Sequence, residues 1–189
     1  YCQPVLFNSL RPDPVQNLIS VDIMVEVTCM ITDRGDGLWL GTHGGLICFI
    51  LLSELACNHD ERHIVEIISG HVGPINSIDC KYNKVVSVDD SACIKIWDCI
   101  THICQVTVQM DLLSIKAVRI VDSSNIWILS GNGELWSYNF LTCAEPEIVT
   151  NLKNNESILN HYSMDIMDNH CIAVSKRLTH WFCDYPYTL

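Results

Sequence analysis

A short pattern, in which an apolar residue is followed by two variable residues and an aromatic one, returns four times and constrains the fold more than any other feature. The aromatic residues stand at positions 49, 97, 138 and 181, so consecutive copies are separated by 48, 41 and 43 residues. A period of about 40–45 residues is typical of the four-stranded blades of a β-propeller. The copies are Leu46-Ile47-Cys48-Phe49, Ile94-Lys95-Ile96-Trp97, Leu135-Trp136-Ser137-Tyr138 and Leu178-Thr179-His180-Trp181.

Upstream of each copy, an apolar strand and a tight turn complete a β-hairpin. The Asn132-Gly133 pair is the strongest turn signal, because both residues tolerate positive φ. A further strand precedes each hairpin, and another follows all but the last. The pattern predicts an all-β chain with blades at 23–69, 70–108 and 109–152 and an incomplete blade at 153–189. Residues 1–22 form a lead-in that could supply the outer strand of a preceding blade.

The strands carry apolar residues on both faces, as Val85, Val86 and Val88 illustrate. A sheet with one face in water would alternate more cleanly, whereas a blade is covered on both sides by its neighbours. A parallel α/β sheet is also buried on both faces, but it needs amphipathic helices of about a dozen residues between its strands. The connections here contain Gly, Pro, Asp and Asn instead, so the pattern favours a propeller.

The segment from Gly70 to Asp98 resembles a WD40 repeat. Gly70-His71 stands where that family has its Gly-His pair, and Trp97-Asp98 matches its Trp-Asp pair. The other blades keep the strand pattern without either pair. The resemblance implies a WD40-type ring, usually of seven blades, of which this chain, starting at Tyr1, would be a fragment of about four blades. Remaining blades of the same chain, or a second copy, would then complete the ring.

The same resemblance implies a buried hydrogen-bonded chain of His71, Ser87 and Trp97, closed by an acidic turn residue. Ser91 occupies the expected turn position, so Asp89 or Asp90 would have to complete the chain from a shifted register. Buried His and Trp N–H groups need acceptors, and these residues are expected to be structural rather than catalytic. The aromatic residues predicted to fill the blade cores are Phe49, Trp97, Tyr138 and Trp181.

Composition limits the partners. The net charge of −11 disfavours nucleic acid, because an acidic surface repels phosphates. No apolar run reaches the roughly 20 residues of a spanning helix, so membrane insertion is not expected. The 11 cysteines form no CxxC pair, which favours a reducing, cytoplasmic location.

No motif predicts a catalytic, cofactor or metal site. His43, His59 and His63 with Asp60 and Glu61 suggest a metal site only superficially, since the last four lie in a polar connection. Two further motifs are interpreted as ordinary surface features. The integrin-type tripeptide Arg34-Gly35-Asp36 is predicted to form a turn between two strands, and the glycosylation sequon Asn155-Glu156-Ser157 is predicted to remain unmodified.

Two functions remain open. The first is a protein-interaction scaffold that binds other proteins through propeller loops. The second is a regulatory propeller within a larger signalling or trafficking protein, whose kinase or GTPase-exchange domain lies elsewhere. An enzyme built around the central channel ranks last, although Glu26, Asp79 and Asp165 recur on the strands predicted to be innermost.

Overall fold

Antiparallel pairing between consecutive strands divides the chain into separate sheets. The computed structural model describes residues 5–7, 18–20, 25–53, 66–68, 70–151, 163–167, 170–174 and 178–182. The first six strands are β1 (Val5–Phe7), β2 (Leu18–Ser20), β3 (Val27–Thr32), β4 (Gly37–Thr42), β5 (Ile47–Leu51) and β6 (Glu66–Ile68). The next four strands are β7 (Ile75–Lys81), β8 (Lys84–Asp89), β9 (Cys93–Asp98) and β10 (Cys104–Gln109). The remaining strands are β11 (Ile115–Ile120), β12 (Asn125–Ser130), β13 (Glu134–Asn139), β14 (Glu147–Asn151), β15 (Ser163–Met167), β16 (His170–Val174) and β17 (Leu178–Phe182).

Strand order follows chain order within every sheet. Three sheets have four strands each, β3 to β6, β7 to β10 and β11 to β14, and we call them the first, second and third blades. β15, β16 and β17 form a three-stranded sheet, and β1 pairs with β2. The predicted all-β class with four-stranded antiparallel blades is confirmed.

The blades meet through their first strands, since β3, β7, β11 and β15 lie side by side. Apolar side chains fill the space between neighbouring sheets. One buried cluster joins the second and third blades, and it includes Val86, Ile94, Ile115 and Ile128. Another joins the first and second blades around Trp39 and Trp97. Burial on both faces explains the continuous apolar runs of the sequence.

Each of the three blades carries the same irregularity near the start of its first strand. The register between first and second strands shifts at Thr28, Asn76 and Lys116, which is the signature of a β-bulge. Two of these residues reach the neighbouring blade. The Thr28 hydroxyl donates to the carbonyl of Ile75, and the Asn76 amide donates to the carbonyl of Ile115 at 3.0 Å. The bulge therefore directs a polar side chain across the joint between blades.

The loops lie at two opposite ends of the blades. At the end where each first strand begins, the loop that enters a blade bonds to the turn between second and third strands, as in Asp90 N to Pro74 O at 3.1 Å. We call this end the entry face. At the opposite end, the exit face, the other two turns of each blade meet, as in Cys99 N to Asn83 O at 3.1 Å.

Candidate functional site

Four side chains of the second blade form one buried hydrogen-bonded chain. His71 lies in the loop that enters the blade, Ser87 and Asp89 are on β8, and Trp97 is on β9. His71 Nδ1 is 3.1 Å from Asp89 Oδ2, and His71 Nε2 is 2.7 Å from Ser87 Oγ. Trp97 Nε1 donates to Ser87 Oγ at 2.8 Å. Strand pairing and the entering loop thus bring together residues that span 27 positions of sequence.

One arrangement of protons satisfies the whole chain. Because a carboxylate only accepts, His71 Nδ1 carries a proton and donates it to Asp89. His71 Nε2 then accepts from the Ser87 hydroxyl, whose oxygen accepts from Trp97. Burial lowers the pKa of His71 and outweighs the opposing effect of Asp89. The imidazole is therefore neutral near pH 7.

Asp89, rather than Asp90 or Ser91, is the acidic residue that contacts His71. Its second oxygen, Oδ1, accepts from the backbone N–H groups of Ser91 and Cys93, both at 3.0 Å, and from the Ser91 hydroxyl at 2.7 Å. Burial opposes ionisation of Asp89, but these donors and His71 together lower its pKa. Asp90 is exposed. Asp89 both closes the turn and ends the chain.

The same place contains a combination of residues that metal ions can use. Ligand atoms of His71, Asp89 and Cys93 all lie within 4.8 Å of one another. Both ring nitrogens of His71 and both oxygens of Asp89 are, however, already engaged in hydrogen bonds. A metal ion would have to displace those bonds, so the geometry favours the hydrogen-bonded chain.

The aromatic residues named from the sequence occupy two different registers. Trp97 pairs across the hairpin with Val85, and Tyr138 holds the equivalent position in the third blade. In the first blade that position belongs to Ile50, so Phe49 lies one residue earlier than the sequence pattern indicates. Phe49 is nevertheless buried, as are Trp97 and Tyr138. The side chain of the fourth, at position 181, lies outside the described residues.

The carboxylates predicted for the innermost strands do not converge on a common site. Asp79 Oδ2 accepts from the backbone N–H of Ile120 in the next blade at 2.7 Å, and burial raises the pKa of Asp79. Asp165 Oδ1 lies 3.6 Å from Arg119 Nε, and the Asp165 side chain is 86% exposed. Glu26 precedes β3 and is exposed. Asp79 therefore joins two blades instead of facing a substrate.

The remaining candidates are scattered. His43 is exposed in the turn that follows β4, whereas positions 59, 60, 61 and 63, and the sequon at 155–157, lie outside the described residues. Arg34, Gly35 and Asp36 form the exposed turn between β3 and β4, as expected. Asp36 Oδ2 accepts from the backbone N–H of Ser53 at 2.8 Å.

Exposed apolar side chains on both faces were not identified from the sequence. On the entry face, Val72 is 99% exposed and Leu113 is 96% exposed. They lie in equivalent loops, the ones that enter the second and third blades. On the exit face, Ile100 and Leu141 follow the third strands of the same two blades and are also exposed. Single apolar residues in polar loops give no periodic signal, which explains why they were missed.

Comparison with known proteins places the fold among solved propellers. No family model matches the chain, and a search of curated proteins finds no significant match. The β-propeller domain of Cps50 (Swd1) from Myceliophteria thermophila is similar with a TM-score of 0.67 and 12% identity, over 84% of this chain and 52% of that one. U3-55K gives a TM-score of 0.67 and 12% identity, over 84% and 47%. The WD40 repeats of RRP9 give 0.63 and 13%, over 84% and 46%.

These similarities show the fold. The structural neighbours are WD40 β-propellers, and the predicted WD40-type architecture is confirmed. The chain spans about half the length of each of these three solved structures. None of the described helical segments is long and apolar enough to cross a membrane.

Proposed function

We propose that this chain is a protein-interaction module, a WD40-type scaffold with no chemistry of its own, which binds a partner on its entry face. The observation that carries the proposal is the near-complete exposure of Val72 and Leu113 in equivalent loops of neighbouring blades. Exposed apolar side chains on rigid loops are a common feature of binding surfaces. The blades beneath would hold both loops in fixed positions.

Charge favours one class of partner. Asp90 and Asp111 are exposed on the same face, and the chain has a net charge of −11. An apolar segment flanked by Lys or Arg would complement this surface, and the charges would speed its association. The same charge disfavours nucleic acid as the partner.

The described residues support a binding role over catalysis. Catalysis needs an acid, base or nucleophile placed within reach of a substrate. His71 and Asp89 are occupied by each other and by the turn, and Asp79 holds the next blade. We accordingly propose no cofactor, metal or catalytic residue, and we assign His71, Ser87, Asp89 and Trp97 a structural role.

Cysteine chemistry supports a cytoplasmic location. The described residues include seven free cysteines, several of them half-buried among apolar neighbours. Such a distribution suits a compartment that keeps thiols reduced. A regulatory propeller within a larger signalling protein would use the same entry face, with a domain of its own chain as partner.

Site-specific photo-crosslinking tests the proposal. A benzophenone amino acid is introduced at position 72 or 113 of the full-length protein in cells, and crosslinked proteins are identified by mass spectrometry. Positions 100 and 141 provide the matched control, because they too lie at corresponding places in the second and third blades, but on the exit face. We expect a defined partner at the two entry-face positions and not at the controls.

A double variant then tests whether the apolar groups contribute. Val72→Asp with Leu113→Asp should abolish recovery of that partner, while Ile100→Asp with Leu141→Asp should retain it. A crosslink to another domain of the same chain would indicate the regulatory alternative. Partner recovery unaffected by the entry-face variant, or lost only with the exit-face variant, would refute the proposed surface.

A further inference from the structure

Two cysteines of the second blade meet at the exit face. Cys80 lies near the end of β7, and Cys99 directly follows β9. Their sulfur atoms are 3.9 Å apart. β8 lies between β7 and β9 in the sheet. The two cysteine side chains therefore meet beyond the first residue of β8, Lys84.

The surrounding backbone holds this pair in position. The N–H of Cys99 donates to the carbonyl of Asn83 at 3.1 Å. Asn83 and Tyr82 form the tight turn after β7, and both have positive φ, 56° and 52°. The turn that carries Cys99 is therefore fixed to the turn that follows Cys80. Forming the S–S bond, about 2 Å long, requires the two sulfurs to move about 2 Å closer together than the 3.9 Å that separates them.

A carboxylate of the first blade lies beside the pair. Cys99 Sγ donates to Asp33 Oδ2 at 3.5 Å. Asp33 Oδ1 is held by the backbone N–H groups of Gly35 and Gly37, at 2.8 and 2.9 Å. The carboxylate is thus fixed as an acceptor for the proton of Cys99. This contact also connects the first and second blades.

Solvent and small oxidants can reach the pair. Cys80, Cys99, Asp33 and Tyr82 all contribute to one cavity of about 180 Å³ between the two blades. Both cysteines are partly exposed. The cavity is large enough for a peroxide molecule, since a single water occupies roughly 30 Å³ in the liquid.

We propose that Cys80 and Cys99 are a modification site that hydrogen peroxide converts into a reversible disulfide. The Cys99 sulfur attacks one peroxide oxygen, so that an S–O bond forms and the O–O bond breaks. The thiol proton, relayed through Asp33, passes to the departing hydroxide, which leaves as water. The Cys80 sulfur then attacks the sulfenic acid. The S–S bond forms, the S–O bond breaks, and a second water leaves with the Cys80 proton. The two thiols together lose two electrons, and the peroxide gains them.

The disulfide has a structural consequence and a characteristic rate. It withdraws Cys99 from Asp33 and so removes one contact between the first and second blades. Burial raises the pKa of both thiols, and the nearby carboxylate of Asp33 raises them further. Because the thiolate is the reacting form, oxidation is slow at neutral pH and accelerates as the pH rises.

Peptide mapping of the full chain tests the proposal. The reduced protein is treated with hydrogen peroxide, alkylated and digested with trypsin. We expect a disulfide between the peptides 63–81 and 96–116. It should disappear in Cys80→Ser and in Cys99→Ser, and thiol reduction should reverse it.

Cys104 provides the matched control, because it lies in the same tryptic peptide as Cys99. Cys104→Ser should leave the disulfide unchanged. Loss of the linked peptides in Cys104→Ser would overturn the assignment. So would the absence of linked peptides from the unmodified chain at alkaline pH, where both thiols react faster, at peroxide concentrations that oxidise the exposed Cys143 completely. The second result does not depend on whether any variant folds.

Discussion

The second and third blades share one strand framework but fill it in opposite ways. His71 donates its backbone N–H to Gly45 at 3.2 Å, and Met110 donates its N–H to Ala92 at 3.0 Å. Gly45 and Ala92 are the positive-φ residues of corresponding turns, so Met110 occupies the position of His71 in the next blade. By strand pairing, Ser87, Asp89 and Trp97 correspond to Ile128, Ser130 and Tyr138.

The difference indicates which part of the polar chain a blade requires. Met110, Ile128 and Tyr138 belong to one buried apolar cluster, so the third blade has no counterpart of the His–Ser–Trp contacts. Closure of the turn is retained, because Ser130 Oγ accepts from the backbone N–H of Glu134 at 3.0 Å, much as Asp89 does in its own turn. The side chain that closes the turn is thus common to both blades, whereas the buried chain is one of two alternative fillings.

Removing the tryptophan should have the largest effect. Trp97 is 2% exposed, and truncating a buried aromatic residue usually costs about 3–5 kcal/mol. We therefore expect Trp97→Ala to lower the free energy of unfolding by about 3–5 kcal/mol, measured by urea denaturation. A loss below about 1 kcal/mol would contradict its assignment to a blade core.

Breaking the polar chain at its centre should cost slightly less. Ser87→Ala leaves Trp97 Nε1 and His71 Nε2 buried without partners, and each such group costs about 1–3 kcal/mol. Because both groups bonded to the same Ser87 oxygen and are left facing each other, we expect a total loss in the lower part of the summed range, about 2–4 kcal/mol, in the same urea measurement.

The control replaces the whole polar chain with the filling of the third blade. The variant combines His71→Met, Ser87→Ile, Asp89→Ser and Trp97→Tyr. Replacing the partners of a buried polar network together costs less than removing one of them, because no member is left behind without its partner. The fourfold variant should therefore be less destabilised than Ser87→Ala. If the fourfold variant loses more stability than Ser87→Ala, the two fillings are not interchangeable and the comparison fails.

Local patterns in the sequence were sufficient to predict the blades. Turn residues and apolar strands recur within short windows, and the Gly-His and Trp-Asp pairs pointed to His71 and Trp97. The register of Phe49 was wrong because both faces of a blade are buried, so neighbouring apolar residues cannot be assigned to a face. Asp89 could not be separated from Asp90, since the choice depends on the turn geometry. Met110 and the Cys80–Cys99 contact depend on pairing between distant strands and leave no local pattern.

Stability should depend on pH through His71. Burial lowers its pKa in the folded chain, so the unfolded chain binds more protons below its own pKa of about 6.5. The contribution of His71 to the free energy of unfolding is complete above about pH 6.5, and it is lost as the pH falls towards the lower pKa that His71 has in the folded chain. We expect a decrease of at most about 1.4 kcal/mol per pH unit in this window. Urea titrations from pH 7 to 5 should show the decrease, and His71→Met should flatten it; an equal slope in both proteins would exclude His71 as its source.

The turns after the third strands match more closely than the blade interiors. In the second blade, Asp98 Oδ1 accepts from the backbone N–H groups of Ile100 and Thr101, at 3.1 and 3.0 Å, which hold the pKa of Asp98 at about 2. In the third blade, Asn139 Oδ1 accepts from the equivalent N–H groups of Leu141 and Thr142, at 3.1 and 2.9 Å. A carboxylate and an amide thus make the same two bonds.

Exchanging these two side chains should have the smallest effect. Asp98→Asn keeps the accepting oxygen and loses a charge whose partner, Lys84 at 3.3 Å, is itself partly exposed, and such pairs contribute little. We expect the melting temperature to change by less than about 2 °C, and likewise for Asn139→Asp. Asp98→Ala removes the acceptor and should lower the melting temperature by more than either exchange. If Asp98→Asn were as damaging as Asp98→Ala, charge rather than acceptor geometry would hold the turn, and the two turns would not be equivalent.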